Sequence, residues 1–230
     1  MIAAPPRRST VTRAITVSHL DCWAKPWNGA PRASKEWMLR IVSGDFRGKA
    51  LITPAGDHTR PTSDRARQAI FNILEHAPWS DGVRDRRVID LFAGSGALGF
   101  EALSRGAAFC LFVETDEAAR GAIRDNVDNL GGLFGKTRVH RRSATDLGVR
   151  PGADGPAFDL AFLDPPYGKG LGEQALEKLA AGGWLADGAI VVFERGSSEP
   201  PFEAPGYEML DARDYGAARV HFLRASPGPG

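Results

Sequence analysis

The sequence predicts an α/β protein with a Rossmann-like, doubly wound sheet of seven mostly parallel strands and a small N-terminal β-hairpin and helix extension. Short apolar runs without helical periodicity alternate with segments of helical spacing, which is typical of a parallel sheet covered by helices on both faces. A glycine-rich turn follows the first of these runs, at residues 93–99. The last two β-prone runs have no helical segment between them and predict a closing antiparallel pair.

The elements follow one another in a regular order along the chain. Strands are expected at residues 88–92, 107–114, 136–140, 160–163, 189–193, 207–210 and 219–223. Helices are expected after the glycine turn and at residues 116–130 and 174–179. Connections between parallel strands of one sheet are almost always right-handed, so this order defines the architecture.

The chain is expected to divide into one main domain with smaller additions. Residues 1–37 are basic, contain four prolines and have no sustained period, so we expect an extension that packs poorly; an organellar transit peptide or an RNA-binding arm stays open. Residues 38–80 form the hairpin and helix, and residues 81–225 the main domain. Residues 226–230 are expected to fray.

Composition narrows the class of protein. The 230 residues are 43% hydrophobic and carry a net charge of +1, which is enough for one sizeable core. No apolar stretch approaches the length of a membrane span. Cys22 and Cys110 are the only cysteines, and Cys110 lies in an apolar run. This argues against a disulfide scaffold or a thiolate metal site and is compatible with a reducing cytosol. We expect a cytoplasmic monomer that needs no metal.

Basic residues accumulate in the N-terminal part of the main body. Two β-prone runs, 39–44 and 49–54, flank turn-forming residues, and Ser63 with Asp64 resembles the start of a helix. A cluster like this is either a solvated face or a surface that attracts phosphates. The cations that we predict to contact RNA are Arg40, Arg47, Arg60, Arg65 and Arg67.

The first strand of the main domain leads into a turn suited to a nucleoside. Its glycines permit positive φ and a close approach of the backbone to a ligand. Glu114 ends the next strand about twenty residues later, where an acid can accept hydrogen bonds from ribose hydroxyls. Asp90 stands just before the turn and would repel a pyrophosphate but tolerate an ammonium group, which favours S-adenosylmethionine over NAD. The turn residues in question are Ala93, Gly94, Ser95 and Gly96.

A second turn, Asp164-Pro165-Pro166-Tyr167, ends the buried run at residues 160–163. Two prolines cannot continue a sheet or enter a helix, so the backbone is stiff and extended there. The Asp164 carboxylate and the Pro165 carbonyl are two acceptors for an amino group, and Tyr167 offers a face for a planar base. The alternative is a structural loop in which Asp164 caps a helix and Tyr167 covers the core.

Together these motifs resemble the RsmD-type methyltransferases. The resemblance extends from about residue 38 to residue 223. It implies a class I, S-adenosylmethionine-dependent enzyme that methylates the exocyclic N2 of a guanine in 16S rRNA of the small ribosomal subunit, guanine 966 in the usual rRNA numbering. The segments that carry it are Leu39–Gly44, Arg60–Arg67, Asp90–Ala102, Asp164–Tyr167 and Gly183–Leu185.

The resemblance also implies roles for individual residues. Asp90, Gly94 and Gly96 would hold the methionine end of the cofactor, Glu114 its ribose and the loop at Ala144 its adenine. A guanine flipped out of the RNA would stack on Tyr167, and its amino group would donate to Asp164 and to the Pro165 carbonyl. Ser143 departs from the acid or amide that relatives often place near the adenine amino group.

Two other functions stay open at this stage. The same turn could serve adenine N6 or a glutamine amide of a protein, although the glutamine-directed family usually has Asn where Asp164 stands. The chain could also be a non-catalytic RNA-binding assembly factor that keeps a nucleoside fold. Neither rival amino substrate explains the basic hairpin.

Overall fold

A computed structural model describes Met1, residues 39–54 and residues 63–227 of the chain. The chain divides into two units, and the second, Glu36–Gly230, contains every element described below. The prediction for residues 1–37, the prediction for Arg60 and most of the C-terminal tail lie outside the described residues.

The described residues contain one seven-stranded sheet in the order β3-β2-β1-β4-β5-β7-β6. Strands β1 to β5 are parallel, and β7 pairs antiparallel with both β5 and β6. This confirms the predicted fold class, including the closing antiparallel pair. The strands are β1 (Arg87–Leu91), β2 (Phe109–Val113), β3 (Thr137–His140), β4 (Phe158–Leu163), β5 (Leu185–Gly196), β6 (Tyr207–Tyr215) and β7 (Ala218–Ala225).

Four α-helices accompany the sheet within the described ranges. Two begin at side-chain caps: Ser63 Oγ accepts from the amide of Ala66, as expected of a helix start, and an Asp116 oxygen accepts from the amide of Ala119. The fourth helix begins three residues earlier than expected, because Gly170 supplies a left-handed N-cap that no side-chain signal marks. The helices are α1 (Asp64–His76), α2 (Ala97–Ser104), α3 (Glu117–Leu130) and α4 (Leu171–Ala181).

The last three strands are longer than their apolar runs predicted. β5 begins at Leu185 and carries an irregularity before Ile190, because β4 pairs Phe158 with Leu185 but Leu160 with Ile190. β6 has mostly exposed or partly exposed residues, so its length follows from pairing with β7 rather than from burial. Hydrophobicity alone therefore finds the buried centre of these strands and misses their ends.

The sheet separates two cores of apolar side chains. One contains Ile70 and Phe71 of α1, and Phe71 packs on Phe162 of β4 with ring centroids 5.5 Å apart. The other contains Leu176 of α4 and Trp184. Cys110 is completely buried, as predicted, and burial raises the pKa of its thiol. Both faces of the central strands are thus covered, which leaves the strand ends as the accessible part of the sheet.

The predicted N-terminal hairpin is reduced to a single antiparallel bridge, Arg40 with Ala50. The amides next to the bridge pair across it: Ile41 donates to the Lys49 carbonyl at 3.0 Å and Leu51 to the Leu39 carbonyl at 2.8 Å. The amides just beyond these bond to side chains of the main body. Glu101 of α2 accepts from the amides of Val42 and Ser43 at 2.7 and 3.0 Å. Residues 39–54 are therefore held by this short pairing and by docking on α2 and α3, and the amides that Glu101 takes are not available to extend the ladder.

Asn126 of α3 makes the second anchor of this segment. Its Oδ1 accepts from the amide of Ile52 at 2.7 Å, and its Nδ2 donates to the Ile52 carbonyl at 3.0 Å. The same Nδ2 lies 3.3 Å from the carbonyl of Ser95 in the glycine turn. One buried amide thus joins the N-terminal segment to the turn that was predicted to hold the cofactor.

Candidate active site

The parallel register brings four strand ends to one level. Val113 and Leu163 both lie beside Leu91, and Phe193 lies beside Leu163. The next residue of each strand therefore lies at the carboxyl edge of the parallel part of the sheet, although β5 itself continues to Gly196 beside β7. These residues are Glu114 after β2, Phe92 after β1, Asp164 after β4 and Glu194 in β5.

The glycine turn after β1 has two different reasons for its glycines. Gly94 has φ +53°, and a Cβ there would meet nothing within 4 Å, so its backbone borders open space. Gly96 has φ +81°, and a Cβ there would lie 2.8 Å from Phe100 and 2.9 Å from Phe112. Gly94 is thus the position that a ligand could approach, while Gly96 is required by helix packing.

Glu114 fixes the turn to the end of β2. Its Oε2 accepts from the amide of Gly94 at 2.8 Å, and its Oε1 accepts from the amide of Asp116 at 2.8 Å. Ala93 adds a backbone bond to the Val113 carbonyl at 3.2 Å. The acid predicted at the ribose is therefore also the residue that holds the turn beside the cleft.

Asp90 is 2% exposed and accepts from the amide of Gly99 at 2.9 Å. Its pKa lies well above the ordinary range, mainly because burial disfavours the carboxylate and further because Asp164 and Glu114 are close. Three acids thus converge on this part of the strand edge. A cation placed among them would relieve their repulsion, whereas a pyrophosphate would add to it.

The loop after β3 was predicted to receive an adenine. Ala144 is 4% exposed and belongs to the same core cluster as Leu147, so its methyl group does not face a ligand. The Ser143 and Thr145 hydroxyls bond to each other at 2.8 Å. Ser143 therefore has a local partner in the place where relatives often have an acid or amide.

The Asp164-Pro165-Pro166-Tyr167 turn leaves the sheet between the glycine turn and β5. Tyr167 is 43% exposed and belongs to neither core, and none of the described helices has Asp164 as its cap. The alternative of a helix cap with a core-covering tyrosine is therefore wrong. Pro165 is buried and Pro166 is exposed, so only the first of the two prolines packs into the protein.

Sequence reasoning missed the acids that hold this turn. The hydroxyl of Tyr167 donates to Glu194 Oε1 at 2.5 Å, and the amide of Gly168 donates to Glu199 Oε1 at 3.0 Å. A signal for Glu194 was present, because it directly follows the buried run 189–193, as Asp164 follows its own run. Glu199 lies in a loop and had no such signal.

The predicted basic residues do not form one surface. Arg67 is 0% exposed; it donates to the Arg40 carbonyl and to Asp64 and lies 3.8 Å from Glu101. The prediction that Arg67 contacts RNA is therefore wrong, because its guanidinium is enclosed among these partners. Arg40 is exposed and pairs with Asp64 at 3.5 Å.

Arg47 and Arg65 are exposed, as a phosphate contact would require. Arg47 lies in the turn whose neighbours Asp45 and Phe46 bond to Ser104, at the end of α2. Since α2 begins at the glycine turn and an eight-residue helix spans about 12 Å, the turn that contains Arg47 docks at the end of α2 away from the glycine turn.

Across residues 39–54 and 63–227, no group of three or more His, Cys, Asp or Glu side chains could hold a metal ion. Within those ranges no helix is long and apolar enough to cross a membrane.

Solved structures with this arrangement define the class of the protein. A putative methyltransferase, yhhF, from Escherichia coli matches with a TM-score of 0.69 and 31% identity over 82% of this chain and 98% of that chain. A putative RNA methyltransferase from Pyrococcus horikoshii has the same fold, with a TM-score of 0.52 and 15% identity over 71% of this chain and 83% of that chain. The fold is that of a class I methyltransferase.

Sequence relatives define the family. Residues 39–224 match the family described as "Conserved hypothetical protein 95". The chain is 38% identical over 164 residues to ribosomal RNA small subunit methyltransferase D of Escherichia coli K12, which is 71% of this chain and 78% of that protein. The Haemophilus influenzae protein of the same name is 33% identical over 186 residues, 81% of this chain and 92% of that one. The chain belongs to the RsmD-type methyltransferase family.

Proposed function

We propose that this protein transfers a methyl group from S-adenosylmethionine to the exocyclic N2 of a guanine in 16S rRNA, guanine 966 in the usual numbering. The observation that carries the proposal is the placement of Asp164 and the exposed ring of Tyr167 beside the glycine turn. The family relatives named as ribosomal RNA small subunit methyltransferases support rRNA as the substrate. We further propose that the enzyme acts in the cytoplasm, as a monomer and without a metal.

The residues around the glycine turn fit the cofactor. S-adenosylmethionine supplies a methyl group activated by a sulfonium when it is bound. The open space beside Gly94 receives the methionine end, Asp90 faces its charge, and Glu114 accepts from the ribose. The backbone of Ala144 borders the adenine. The remaining contacts of the turn, from Ala93, Ser95 and Gly96, hold its shape.

The second turn prepares the nucleophile. An aromatic amine delocalises its lone pair into the ring and is a poor nucleophile. The Asp164 carboxylate and the Pro165 carbonyl accept from its two protons, oppose that delocalisation and aim the lone pair at the methyl group. Tyr167 stacks on the base that has left the RNA helix, which fixes the plane in which the amine lies.

Replacing Asp90 with Asn should raise the stability of the fold and weaken the binding of the cofactor. Because the pKa of Asp90 is raised in the folded state, proton binding to Asp90 stabilises the fold. This stabilisation is complete below the unfolded-state pKa of about 3.9 and is lost as the pH rises through the folded-state pKa. Asp90→Asn is neutral and can still accept from Gly99, so we expect a higher melting temperature at pH 7. It should bind S-adenosylmethionine about ten- to a hundredfold more weakly.

Thermal unfolding at several pH values and calorimetric titration check this prediction. The stability difference from wild type should shrink as the pH is lowered, because wild-type Asp90 then gains its proton. An Asp90→Asn protein with unchanged melting temperature and unchanged affinity at pH 7 would remove Asp90 from the cofactor site.

The exposed cations Arg47, Lys49 and Arg65 are the described residues that we propose for phosphate contacts. Changing all three to Gln should weaken RNA binding most at low salt and reduce the slope of log affinity against log salt by about 2 to 3. Filter binding of 16S rRNA at several salt concentrations measures this. Arg213→Gln, an exposed cation on β6, is the control and should leave the slope unchanged. A triple variant with the wild-type slope would move the RNA to another face.

The proposed function is tested with labelled S-adenosylmethionine and small ribosomal subunits from cells that lack this enzyme. We expect the labelled methyl group on the rRNA, so ribonuclease should release it and protease should not. Label released by protease would indicate a protein glutamine as the substrate. Binding of the cofactor without any transfer would support a non-catalytic assembly factor.

A further inference from the structure

We propose that Glu194 is a positioning residue that holds the base-stacking ring of Tyr167 through the hydroxyl of that ring. The inference rests on the proposed function, because that function gives Tyr167 a flipped base as its ligand. Glu194 itself does not touch the reacting atoms. Its role is to fix the orientation of a side chain that does touch the substrate.

The buried carboxylate of Glu194 accepts a hydrogen bond from the partly exposed side chain of Tyr167. Glu194 is 7% exposed and Tyr167 is 43% exposed. The hydroxyl donates to Glu194 Oε1 at 2.5 Å, so the far end of the ring is tied down while part of the side chain stays open to solvent. A tyrosine has two rotatable side-chain bonds, and a bond at the hydroxyl restricts both.

The ring also lies against the backbone of β5. A Cβ on Gly196 would lie 3.4 Å from Cδ2 of Tyr167, which is contact distance. Gly196 and Glu194 are two residues apart on the same strand, and side chains of such residues point to the same face of a sheet. The end of β5 therefore provides both a surface for the ring and an acceptor for its hydroxyl.

The end of β5 that carries Glu194 is held by a second set of charged groups. Arg195 bonds to Glu173 of α4 at 2.7 Å and to Glu199 at 3.3 Å. Glu199 Oε1 accepts from the amides of Gly168 and Gly196, both at 3.0 Å. The strand end, the loop after Tyr167 and α4 are thus joined, so a change in Glu194 acts on a fixed frame.

The Tyr167 hydroxyl is protonated at neutral pH and can therefore donate to Glu194. Burial and then the bond to Glu194 raise the pKa of the Tyr167 hydroxyl above its ordinary value, so the phenol stays protonated and remains a donor. A hydrogen bond to a charged group is stronger than one between neutral groups. Its loss should reduce the fraction of enzyme with a correctly placed ring, and with it kcat.

The test is a double-mutant cycle on kcat for methyl transfer to small subunits. Tyr167→Phe keeps the stacking face and loses the hydroxyl, and Glu194→Ala loses the acceptor. We expect each change to lower kcat about tenfold, and the double variant to be no slower than the slower single variant. The KM for S-adenosylmethionine should not change. Glu194→Gln keeps an acceptor oxygen and should restore most of the turnover.

The matched control is Tyr207→Phe, which removes a hydroxyl that donates to the Leu176 carbonyl at 2.8 Å. It should leave kcat unchanged. Multiplying effects, about a hundredfold in the double variant, would mean that Glu194 acts independently of the hydroxyl and would overturn the proposal. If Glu194→Ala does not fold, an unchanged kcat in Tyr167→Phe overturns it equally. Wild-type protein that transfers no methyl group would instead overturn the proposed function.

Discussion

Asp164→Ala should lower kcat for methyl transfer by about 10²- to 10³-fold while S-adenosylmethionine binds as tightly as to wild type. The side chain directly follows β4 and lies close enough to Asp90 and Tyr167 to raise the pKa of both. In our proposal its carboxylate accepts from the amino group and does not hold the cofactor. Its removal therefore affects the transition state and leaves ground-state cofactor binding in place.

Single-turnover transfer to small subunits and calorimetry with S-adenosylmethionine measure the two effects separately. Asp164→Asn keeps one acceptor oxygen and should fall between wild type and Asp164→Ala. Asp128→Ala removes an exposed acid of α3 and serves as the control for a change in surface charge. Wild-type turnover in Asp164→Ala would exclude this residue from catalysis.

Glu101→Ala should lower the free energy of unfolding by about 3 to 5 kcal/mol. Glu101 is fully buried and accepts from two amides of the N-terminal segment and from Nε of Arg105 at 2.9 Å. It also lies 3.8 Å from the buried Arg67. Alanine would leave Nε of Arg105 and two amides without this acceptor and would remove the negative charge beside the buried Arg67. Residues 39–54 would lose their anchor on α2.

Urea denaturation compares this variant with Glu177→Ala, which removes an exposed acid of α4. The control should stay within about 0.5 kcal/mol of wild type. Glu101→Gln keeps the shape and one acceptor, so we expect an intermediate loss. A Glu101→Ala protein as stable as wild type would mean that the bonds to Glu101 do not stabilise the fold.

The acids at the strand ends were predictable because each stands within or next to a short apolar run that is easy to recognise in the sequence. Asp90, Glu114 and Asp164 stand within or directly after buried runs, and parallel strands bring such ends to one edge. Ser63 was predictable as a cap for a similar reason, since the bond that it makes is only three residues long. Both kinds of signal lie within a few residues of the sequence.

The anchoring contacts had no local signal. Glu101 and Asn126 bond to backbone groups 58 to 74 residues away, and such pairs leave no period or spacing in the sequence. Arg67 lies in a basic stretch and therefore looked exposed, although Glu101 and Asp64 make its burial possible. Composition predicts the charge of a segment and not which of its side chains face inward.

The most direct test of the whole account is the identity of the methylated nucleoside. Small subunits from a strain without this enzyme are incubated with the purified protein and S-adenosylmethionine, and the rRNA is digested and analysed by mass spectrometry. We predict one new product, N2-methylguanosine, that is absent when Asp164→Ala replaces the wild type. N6-methyladenosine, or a methyl group found only on protein, would contradict the account.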